Sequence, residues 1–475
     1  MLVLPGENMA TADPTSPIDF EGSKVKTILK LAAPTVVAML LQSIVNEVDD
    51  VFFARLPNAT EASNAQAALF PSLVIVWAFG GALGAISVGT QALTARRVAE
   101  GNRQAAGAVL ANAVWFTLIG GLLLMPLSYF LLPYLFRNEV DGVREICIGY
   151  TRFRVFGFVS MAMTQAIKGF FDGIGRTRYH LVASLVMNVF NVFFCWIFLF
   201  GHLGVPSMGA PGAGLAALAS TWIGLGIMLW YGWQHRGEFD PLHVKNLSRG
   251  LLWDMLKLSI PAALATIIMM AGFKSFESIV SGLDRPLAGE PVGEAVNGAA
   301  TTNIIEILKL TFTACIGFGT ATATLVSQCM GRKDPDRAEQ YGWTSVRLGL
   351  VIFGVVGLCE GVLFRTQLLQ FIAPKSEAVQ AAMSTPMLLM GIVTPLISVA
   401  LIMSEALFGA GATKFVAVAQ FVLITCILVP GAHLLGVTYH MGLIGIWIPA
   451  CVYALLAAAT MSVKFRAGGW KNIKL

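Results

Sequence analysis

The chain has 475 residues, of which 56% are hydrophobic and only 12% are charged, and its mean hydropathy is +0.72. Soluble proteins carry about one quarter charged residues, so this composition excludes a set of water-soluble domains and indicates a chain solvated mainly by lipid. The net charge of +5 does not indicate nucleic-acid binding, because Lys and Arg lie in short segments between apolar runs rather than on one basic face. The seven cysteines lack metal-ligand spacing and predict packing roles.

Twelve apolar stretches follow an N-terminal segment, residues 1–20, that has no signal-peptide pattern. A helix needs about 20 mainly apolar residues to cross the hydrocarbon core of a bilayer, so each stretch predicts one transmembrane helix. The predicted helices are 27–56, 67–95, 105–135, 147–171, 179–201, 212–234, 252–283, 297–329, 340–366, 379–408, 414–435 and 442–463.

Basic residues are concentrated in alternate loops, with roughly 20 in one set of loops against 8 in the other. Because Lys and Arg are retained on the cytoplasmic side, this asymmetry predicts a multi-pass protein of the cell inner (plasma) membrane with both termini in the cytoplasm. The predicted organisation is a cytoplasmic tail over 1–24, an N-terminal six-helix lobe over 25–235, a cytoplasmic linker over 236–250, a C-terminal six-helix lobe over 251–464 and a cytoplasmic tail over 465–475.

Short motifs of the first half recur in the same order in the second half. The pairs are LKLxxP at 29–34 and 256–261, GT at 89–90 and 319–320, GIGxTR at 173–178 and GAGxTK at 409–414, and MGxxG at 208–212 and 441–445. An ordered set of matches with a nearly constant offset predicts an internal duplication. Six helices per half is an even number, so both halves enter the membrane in the same orientation. The predicted fold class is an all-α polytopic membrane protein, with twelve transmembrane helices in two pseudo-symmetric six-helix bundles around a central cavity.

Polar residues inside the first helix share one face. Gln42, Asn46 and Asp49 are spaced i, i+4 and i+7, and we expect this face to line the cavity of the N-terminal half. A carboxylate in a low-dielectric span is costly, and it favours the protonated form or, with neighbouring oxygen ligands, can hold sodium. Asp49 therefore either exchanges a cation or only solvates substrate and tethers helices.

A second polar face is predicted on the fifth helix. Ser184, Asn188, Asn191 and Cys195 are spaced 4, 3 and 4 residues apart, as neighbours on one side of a helix are. The two Asn side chains either form hydrogen bonds between helices or serve as ligands.

Two helices of the second half each carry an acidic and a basic residue three positions apart. They are Lys274 with Glu277 on the seventh helix and Glu306 with Lys309 on the eighth. The four charges either pair structurally or form a second cation or substrate site, for which Glu306 with Asn303 is the better candidate. Glu360 and Glu405 lie nearer helix ends, and we expect both to be solvated at the membrane interface.

Several segments resemble the multidrug and toxic compound extrusion (MATE) family, and the resemblance covers essentially the whole chain. NEVDDVFFARL at 46–56 is similar to the family's Asn-x-x-Asp-x-hydrophobic-Phe-x-Gly-x-Leu segment, with Ala54 in place of Gly. Gly89 to Gly101 is similar to the loop between the second and third helices, and KGFFDGIGRT at 168–177 to the loop between the fourth and fifth. The segment 191–214 resembles the fifth and sixth helices.

The resemblance implies that Asp49 is the residue that couples transport to a cation and that Asn191 accompanies it. The family often has a second Asp at the position of Cys195, so this chain lacks one oxygen ligand, which disfavours a tight sodium site. Several members also carry an acidic residue near the middle of the seventh helix, where this chain has Met269 and Met270. That site is therefore not carried over.

The function that follows is secondary active efflux of small organic compounds, cationic or amphipathic, by antiport against protons or sodium. We expect no cofactor, no enzymatic activity, no nucleic-acid partner and a monomer in the bilayer, because the sequence has no phosphate loop and no catalytic motif. Two alternatives remain. A flippase or exporter of a lipid-linked or dedicated metabolite predicts extra helices and a cationic cavity, and a membrane enzyme or receptor predicts a catalytic cluster or a soluble domain.

Overall fold

The protein is a bundle of long helices in a computed structural model that describes residues 18–20, 22–53, 55–137, 139, 141–240, 247–284, 296–373 and 376–473. We number the twelve main helices in chain order. They are α1 (Lys24–Phe53), α2 (Ala59–Val76 continuing to Ile86–Ala99), α3 (Arg103–Leu135), α4 (Asp141–Val155 and Phe158–Gly173), α5 (Arg178–Phe198), α6 (Ala210–Gln234), α7 (Arg249–Leu283), α8 (Val296–Gly331), α9 (Pro335–Leu358), α10 (Glu377–Ala410), α11 (Thr413–Leu423 continuing to Thr438) and α12 (Gly442–Arg466). Short helices lie at Arg236–Phe239, Arg365–Ile372 and Gly469–Asn472.

The twelve predicted helices and the two-lobe arrangement are confirmed. Eleven helices in the described ranges are long and apolar enough to cross a membrane. The remaining crossing is α4, which was predicted as one helix but consists of two pieces separated at Phe156 and Gly157. Helices are the elements expected in lipid, because each satisfies its own backbone hydrogen bonds.

Local sequence signals fix where several helices begin and end. The side chains of Asn102, Ser248, Asp334 and Ser376 each accept a hydrogen bond from a backbone N–H in the first turn of α3, α7, α9 and α10. Such caps satisfy backbone donors that have no partner inside the helix. At the other end of α10, Gly411 adopts a left-handed conformation with φ of 91° and ends the helix.

The duplicated motifs pack in the same way in both halves. In the first half, α4 lies against α2 so closely that a Cβ on Gly173 would be 2.8 Å from the Gln91 carbonyl oxygen. In the second half, α10 lies against α8, and a Cβ on Gly409 would overlap the Ala323 carbonyl oxygen. Gly173 and Gly409 are the matching positions of the repeat. The close approach explains why both are glycine, because any side chain would separate the two backbones.

Helix α1 packs against a different lobe at each of its ends. Near its start, Ile28 and Leu31 belong to a core formed with Phe318 of α8 and with α9, α10 and α12. Near its end, Phe53 lies in a core with Tyr150 of α4 and with α5 and α6. Helix α7 also contacts both lobes, in the reverse order. Its start packs on α2 and α3 of the N-terminal lobe, and its end packs on α8, α10 and α12 of the C-terminal lobe. Each of these helices therefore joins the two lobes.

Hydrogen bonds between the lobes are grouped near the face that carries the chain termini. Gln91 Nε2 donates to the carbonyl oxygen of Thr320 and to Thr324 Oγ1, both over 2.9 Å. Gln328 Nε2 donates to the Gly173 carbonyl over 2.7 Å. Arg96 donates to the carbonyls of Ala410 and of Ile473 in the C-terminal segment, over 2.8 and 2.9 Å. These bonds close the lobes against each other at this face, which we call the terminal face.

Candidate functional site

Asp49 lies fully buried where α1, α4 and α5 meet. The Tyr150 hydroxyl donates a hydrogen bond to Asp49 Oδ2 over 2.8 Å, and the Cys195 thiol approaches Oδ1 at 3.6 Å. All three side chains have 0 or 1% of their surface exposed. Removing a carboxylate from water is costly unless hydrogen bonds compensate, and two donors do so here. In this state the carboxylate is closed off from solvent.

Neighbouring aromatic and cationic groups hold Tyr150 in place. The Phe53 ring packs edge-on against the Tyr150 ring, with centroids 6.0 Å apart. The guanidinium of Arg154, one turn further along α4, lies 5.6 Å from the centroid of the same ring. The phenol therefore has a fixed direction toward Asp49, and the positive charge of Arg154 lies beside the ring that donates to the carboxylate.

Asn191 adds unsatisfied polar atoms one turn from Cys195. Its side chain is 1% exposed, and neither Nδ2 nor Oδ1 has a hydrogen-bond partner among the described residues. Buried polar atoms nearly always have partners, so an amide of this kind indicates space for a water molecule or a bound cation. No group of three His, Cys, Asp or Glu side chains arranged for a metal ion occurs in the described ranges.

The other residues predicted for the first half are arranged along the same two helices. Asn188 is buried, and its Nδ2 donates to the Ser184 carbonyl over 2.8 Å. Gln42 is half-buried on α1. The backbone of Asn46 is part of α1, but its side chain is not among those that the structure describes.

The charges predicted in the second half are not brought to Asp49. Lys274 Nζ lies 3.2 Å from Glu277 Oε2, and Lys309 Nζ lies 3.2 Å from Glu306 Oε2, each pair within its own helix. Asn303 Nδ2 approaches the sulfur of Met383 at 3.7 Å. Lys274 also lines an open cavity of about 750 Å³ between α7 and α11. The side chain of Lys274 is 62% exposed and that of Glu306 is 51% exposed. Both therefore lie on open surfaces, unlike the closed pocket around Asp49.

A buried charge cluster near the terminal face was missed by the sequence analysis. Lys168 Nζ lies 2.9 Å from Asp172 Oδ2 on α4, with side chains 10% and 1% exposed. The ammonium of Lys168 also acts electrostatically on Glu405 of α10 and on His180 of α5. The i, i+4 spacing of Lys168 and Asp172 beside an apolar run was the available signal. His180 was likewise recognisable as the residue one turn before Ser184.

The expectation that Glu405 and Glu360 are solvated at the membrane interface is wrong. Glu405 is half-buried and packs over Gly319 of α8, where any side chain on Gly319 would collide with it. Glu360 is also half-buried and accepts a hydrogen bond from Thr311 Oγ1 of α8 over 3.2 Å. Both side chains lie against α8, because the faces of α9 and α10 that carry them point into the protein. Position near a helix end did not reveal this packing.

Two pseudo-symmetric six-helix lobes, joined by crossing helices and containing a buried carboxylate, define a polytopic membrane protein with the architecture of a transporter. The model of one family, MatE, matches residues 34–197 and 290–433, once in each half of the chain. The chain therefore belongs to the MATE family. The two matches agree with the duplication predicted from the repeated motifs.

Relatives with assigned names are similar over nearly the whole chain. The probable multidrug resistance protein NorM of Pasteurella multocida is 26% identical over 466 residues, which cover 94% of this chain and 96% of the relative. The probable NorM of Thermotoga maritima is 23% identical, covering 94% of this chain and 93% of the relative. The multidrug resistance protein MdtK of Yersinia pseudotuberculosis is 23% identical, covering 93% and 95%. These names are transporter names rather than enzyme names.

Solved structures share the fold at low sequence identity. A MATE transporter in the bent conformation superposes with a TM-score of 0.83 at 19% identity, covering 94% of this chain and 95% of that chain. An outward-facing multidrug resistance MATE transporter of the MOP superfamily gives a TM-score of 0.83 at 20% identity, covering 94% and 96%. A MOP superfamily transporter from Pyrococcus furiosus, whose binding pocket is described as reversed in polarity, gives the same values.

Proposed function

We propose that this protein exports small organic compounds, cationic or amphipathic, in exchange for an inward-moving proton or sodium ion. The observation that carries the proposal is the buried carboxylate of Asp49, held by Tyr150 and Cys195 with the unsatisfied amide of Asn191 on the same face of α5. The NorM and MdtK relatives are named as multidrug resistance proteins, which supports efflux of several compounds rather than one.

The proposed mechanism uses the cation to change the contacts of α1. Binding of a proton to Asp49 removes its negative charge and weakens the hydrogen bond from Tyr150, because donors bind a carboxylate more strongly than a carboxylic acid. Helix α1 contacts both lobes, so a change at its buried end can bias how the lobes pack. Rocking of the lobes then exposes the cavity alternately to the two sides.

One coupling cation supplies enough energy for useful export of a neutral solute, whereas one-for-one exchange for a monovalent cation such as ethidium moves no net charge and is driven by the concentration gradient of the coupling cation. A unit charge that moves inward across about 100 mV releases ~2.3 kcal/mol, which supports roughly a 50-fold gradient of a neutral solute. No nucleotide is required. In this proposal the terminal face is cytoplasmic, the lobes are closed there, and the monomer lies in the inner membrane with lobes over 25–235 and 251–464.

The proposed roles differ between the two halves. Asp49 and Asn191 bind the coupling cation, with Asn46 beside them on α1. Gln42 and Asn188 line the cavity of the N-terminal half. The residues proposed as a second polar surface for substrate are Lys274, Glu277, Asn303 and Glu306.

The test is efflux of ethidium from drug-sensitised cells and its uptake into everted vesicles, with proton and sodium gradients imposed separately. We expect Asp49→Asn to abolish gradient-driven efflux at normal expression. Asp254→Asn is the matched control, because Asp254 is half exposed and paired with Lys257 on the first turns of α7. Normal efflux by Asp49→Asn contradicts the coupling role, and absence of dye movement by the unaltered protein under either gradient contradicts the multidrug role and favours a dedicated metabolite or lipid substrate.

A further inference from the structure

A buried polar stripe runs along α5 from the Asp49 pocket toward the terminal face. Its members are His180, Ser184, Asn188, Asn191 and Cys195, with exposed fractions of 2, 2, 9, 1 and 0%. The opposite side of α5 is apolar and exposed, as expected for a surface in lipid. Polar groups of a lipid-spanning helix face the protein interior, and on α5 they form a continuous line between the Asp49 pocket and the first turn of the helix.

The two ends of the stripe lie at different depths. Cys195 contacts Asp49, whereas His180 lies in the first turn of α5, just after the loop whose Thr177 hydroxyl donates to the Leu31 carbonyl at the terminal face. At 1.5 Å per residue, 15 residues along the helix correspond to about 22 Å. The stripe therefore spans most of the hydrocarbon core, whose thickness is about 30 Å.

His180 has the chemistry of a proton acceptor at the inner end. Its Nε2 lies 3.4 Å from Ser184 Oγ, and its Nδ1 has no hydrogen-bond partner among the described residues. Imidazole is the side chain that most readily gains and loses a proton near neutral pH. The charged group that acts on His180 is Lys168 of α4, whose ammonium is paired with Asp172 and also acts on Glu405 of α10.

We propose that this stripe is the route by which a proton taken up at Asp49 leaves toward the terminal face, with His180 as the last protein group to carry it. The proposal rests on the proposed function with the proton as the coupling ion. The O–H bond of the Asp49 carboxylic acid breaks and the carboxylate regains its negative charge. Water molecules beside Asn191, Asn188 and Ser184 pass the proton on, and an N–H bond forms on the imidazole. The imidazolium then releases the proton to water at the terminal face and becomes neutral again.

The experiment compares two activities of the purified protein in liposomes that contain the pH dye pyranine. Ethidium-driven proton flux requires the route, whereas exchange of ethidium between two pools at equal concentration requires no net proton movement. We expect His180→Gln, which keeps a polar side chain but cannot carry a proton, to lower the proton flux about tenfold or more while exchange stays within about twofold. Added imidazole should restore proton flux to His180→Ala.

The matched control is Ser160→Ala. Ser160 is a buried residue of α4 in the same lobe, and its hydroxyl bonds to the Gly157 carbonyl and to Thr221, away from the stripe. Proton flux by His180→Gln equal to that of the unaltered protein overturns the route, and so does a parallel loss of flux and exchange without imidazole rescue. If sodium alone drives the unaltered protein, the proton route is overturned while the transport function stands. If the unaltered protein does not exchange ethidium, the proposed function itself fails.

Discussion

The Tyr150 hydroxyl donates to Asp49 Oδ2 over 2.8 Å although the two residues are 101 positions apart in the chain. This contact ties the end of α1 to α4 inside the N-terminal lobe, while the start of α1 packs on the C-terminal lobe. The bond therefore lies at one end of a helix that joins both lobes, and its strength depends on the charge of Asp49. In the proposed mechanism, this position allows the protonation of Asp49 to change the packing at the lobe interface.

Loss of this hydrogen bond should affect both stability and transport. Tyr150→Phe keeps the ring packed against Phe53 but removes the donor, and a hydrogen bond to a charged group contributes about 1.5–3 kcal/mol. We expect a lower thermal midpoint and a several-fold lower rate of gradient-driven ethidium efflux. Tyr129→Phe on α3 is the control, since the Tyr129 ring packs beside Phe130 and Phe156. Equal behaviour of the two variants contradicts the importance of the bond.

The close approach of α8 and α10 should make Gly409 sensitive to the smallest substitution. A Cβ on Gly409 would overlap the Ala323 carbonyl oxygen, so Gly409→Ala must separate the two helices, at a cost of about 1–3 kcal/mol. Gly354→Ala on α9 is the control, because no atom lies within 4 Å of the added Cβ and alanine favours a helix. Thermal unfolding in detergent should show a lower midpoint for Gly409→Ala alone, and a midpoint no lower than that of Gly354→Ala refutes the packing argument.

The hydrogen bonds of Gln91 and Gln328 between the lobes should stabilise the state closed at the terminal face. The double variant Gln91→Met and Gln328→Met removes three donated bonds, each worth about 1 kcal/mol, with little change in side-chain volume. We expect the lobes to separate at this face in a larger fraction of molecules. The measurement is the distance distribution between spin labels at Arg178 and Lys414.

A matched glutamine on one lobe controls for the chemical change. Gln380 Nε2 donates to the Ala373 carbonyl over 2.8 Å, and both residues belong to the C-terminal lobe. Gln380→Met should leave the distance between the labels unchanged. An unchanged distribution in the double variant as well means that these bonds do not set the balance between the two states.

The C-terminal segment should be held more firmly at neutral than at strongly alkaline pH. Hydrogen bonds from the Lys471 ammonium to Asp336 and Glu339 raise its pKa above the usual 10.5. Because the folded state binds this proton more tightly, the stabilisation is fully present below pH 10.5 and is lost as pH rises through the raised pKa. Lys471→Gln should speed proteolysis of the C-terminal segment at pH 7 but make no difference at a pH above the raised pKa of Lys471. The exposed Lys26→Gln is the control, and equal proteolysis of both variants at pH 7 contradicts the prediction.

The arrangement along single helices was predictable from residue spacing. The 3.6-residue spacing of Asn188, Asn191 and Cys195 predicts that they share one face of α5. That face is buried, because polar residues that avoid lipid must face the protein interior. Asp49 was recognised in the same way and through the family resemblance. Its partner Tyr150 was not, because no local pattern states which residue of α4 meets α1.

The same limit explains the missed cluster near the terminal face. Glu405 looked like a residue of a helix end, yet it lies over Gly319 because α8 and α10 cross closely at that point. Lys168 and Asp172 were visible as an i, i+4 pair, but Glu405 lies on a helix of the other lobe, and only the packing of the two lobes brings the electrostatic effect of Lys168 to it. Contacts between elements far apart in sequence depend on helix crossing, which hydropathy does not encode.

The amino-acid sequence by itself determined the twelve helices, the duplication and the polar faces of α1 and α5. These properties follow from local hydropathy and periodicity, since each span must be apolar toward lipid and satisfy its own backbone. The tertiary structure alone decided that α1 and α7 cross between the lobes and that Tyr150 covers Asp49. It also decided that the lobes close through Gln91 and Gln328. Those contacts join residues that are distant in the chain, and only the packing of whole helices brings them together.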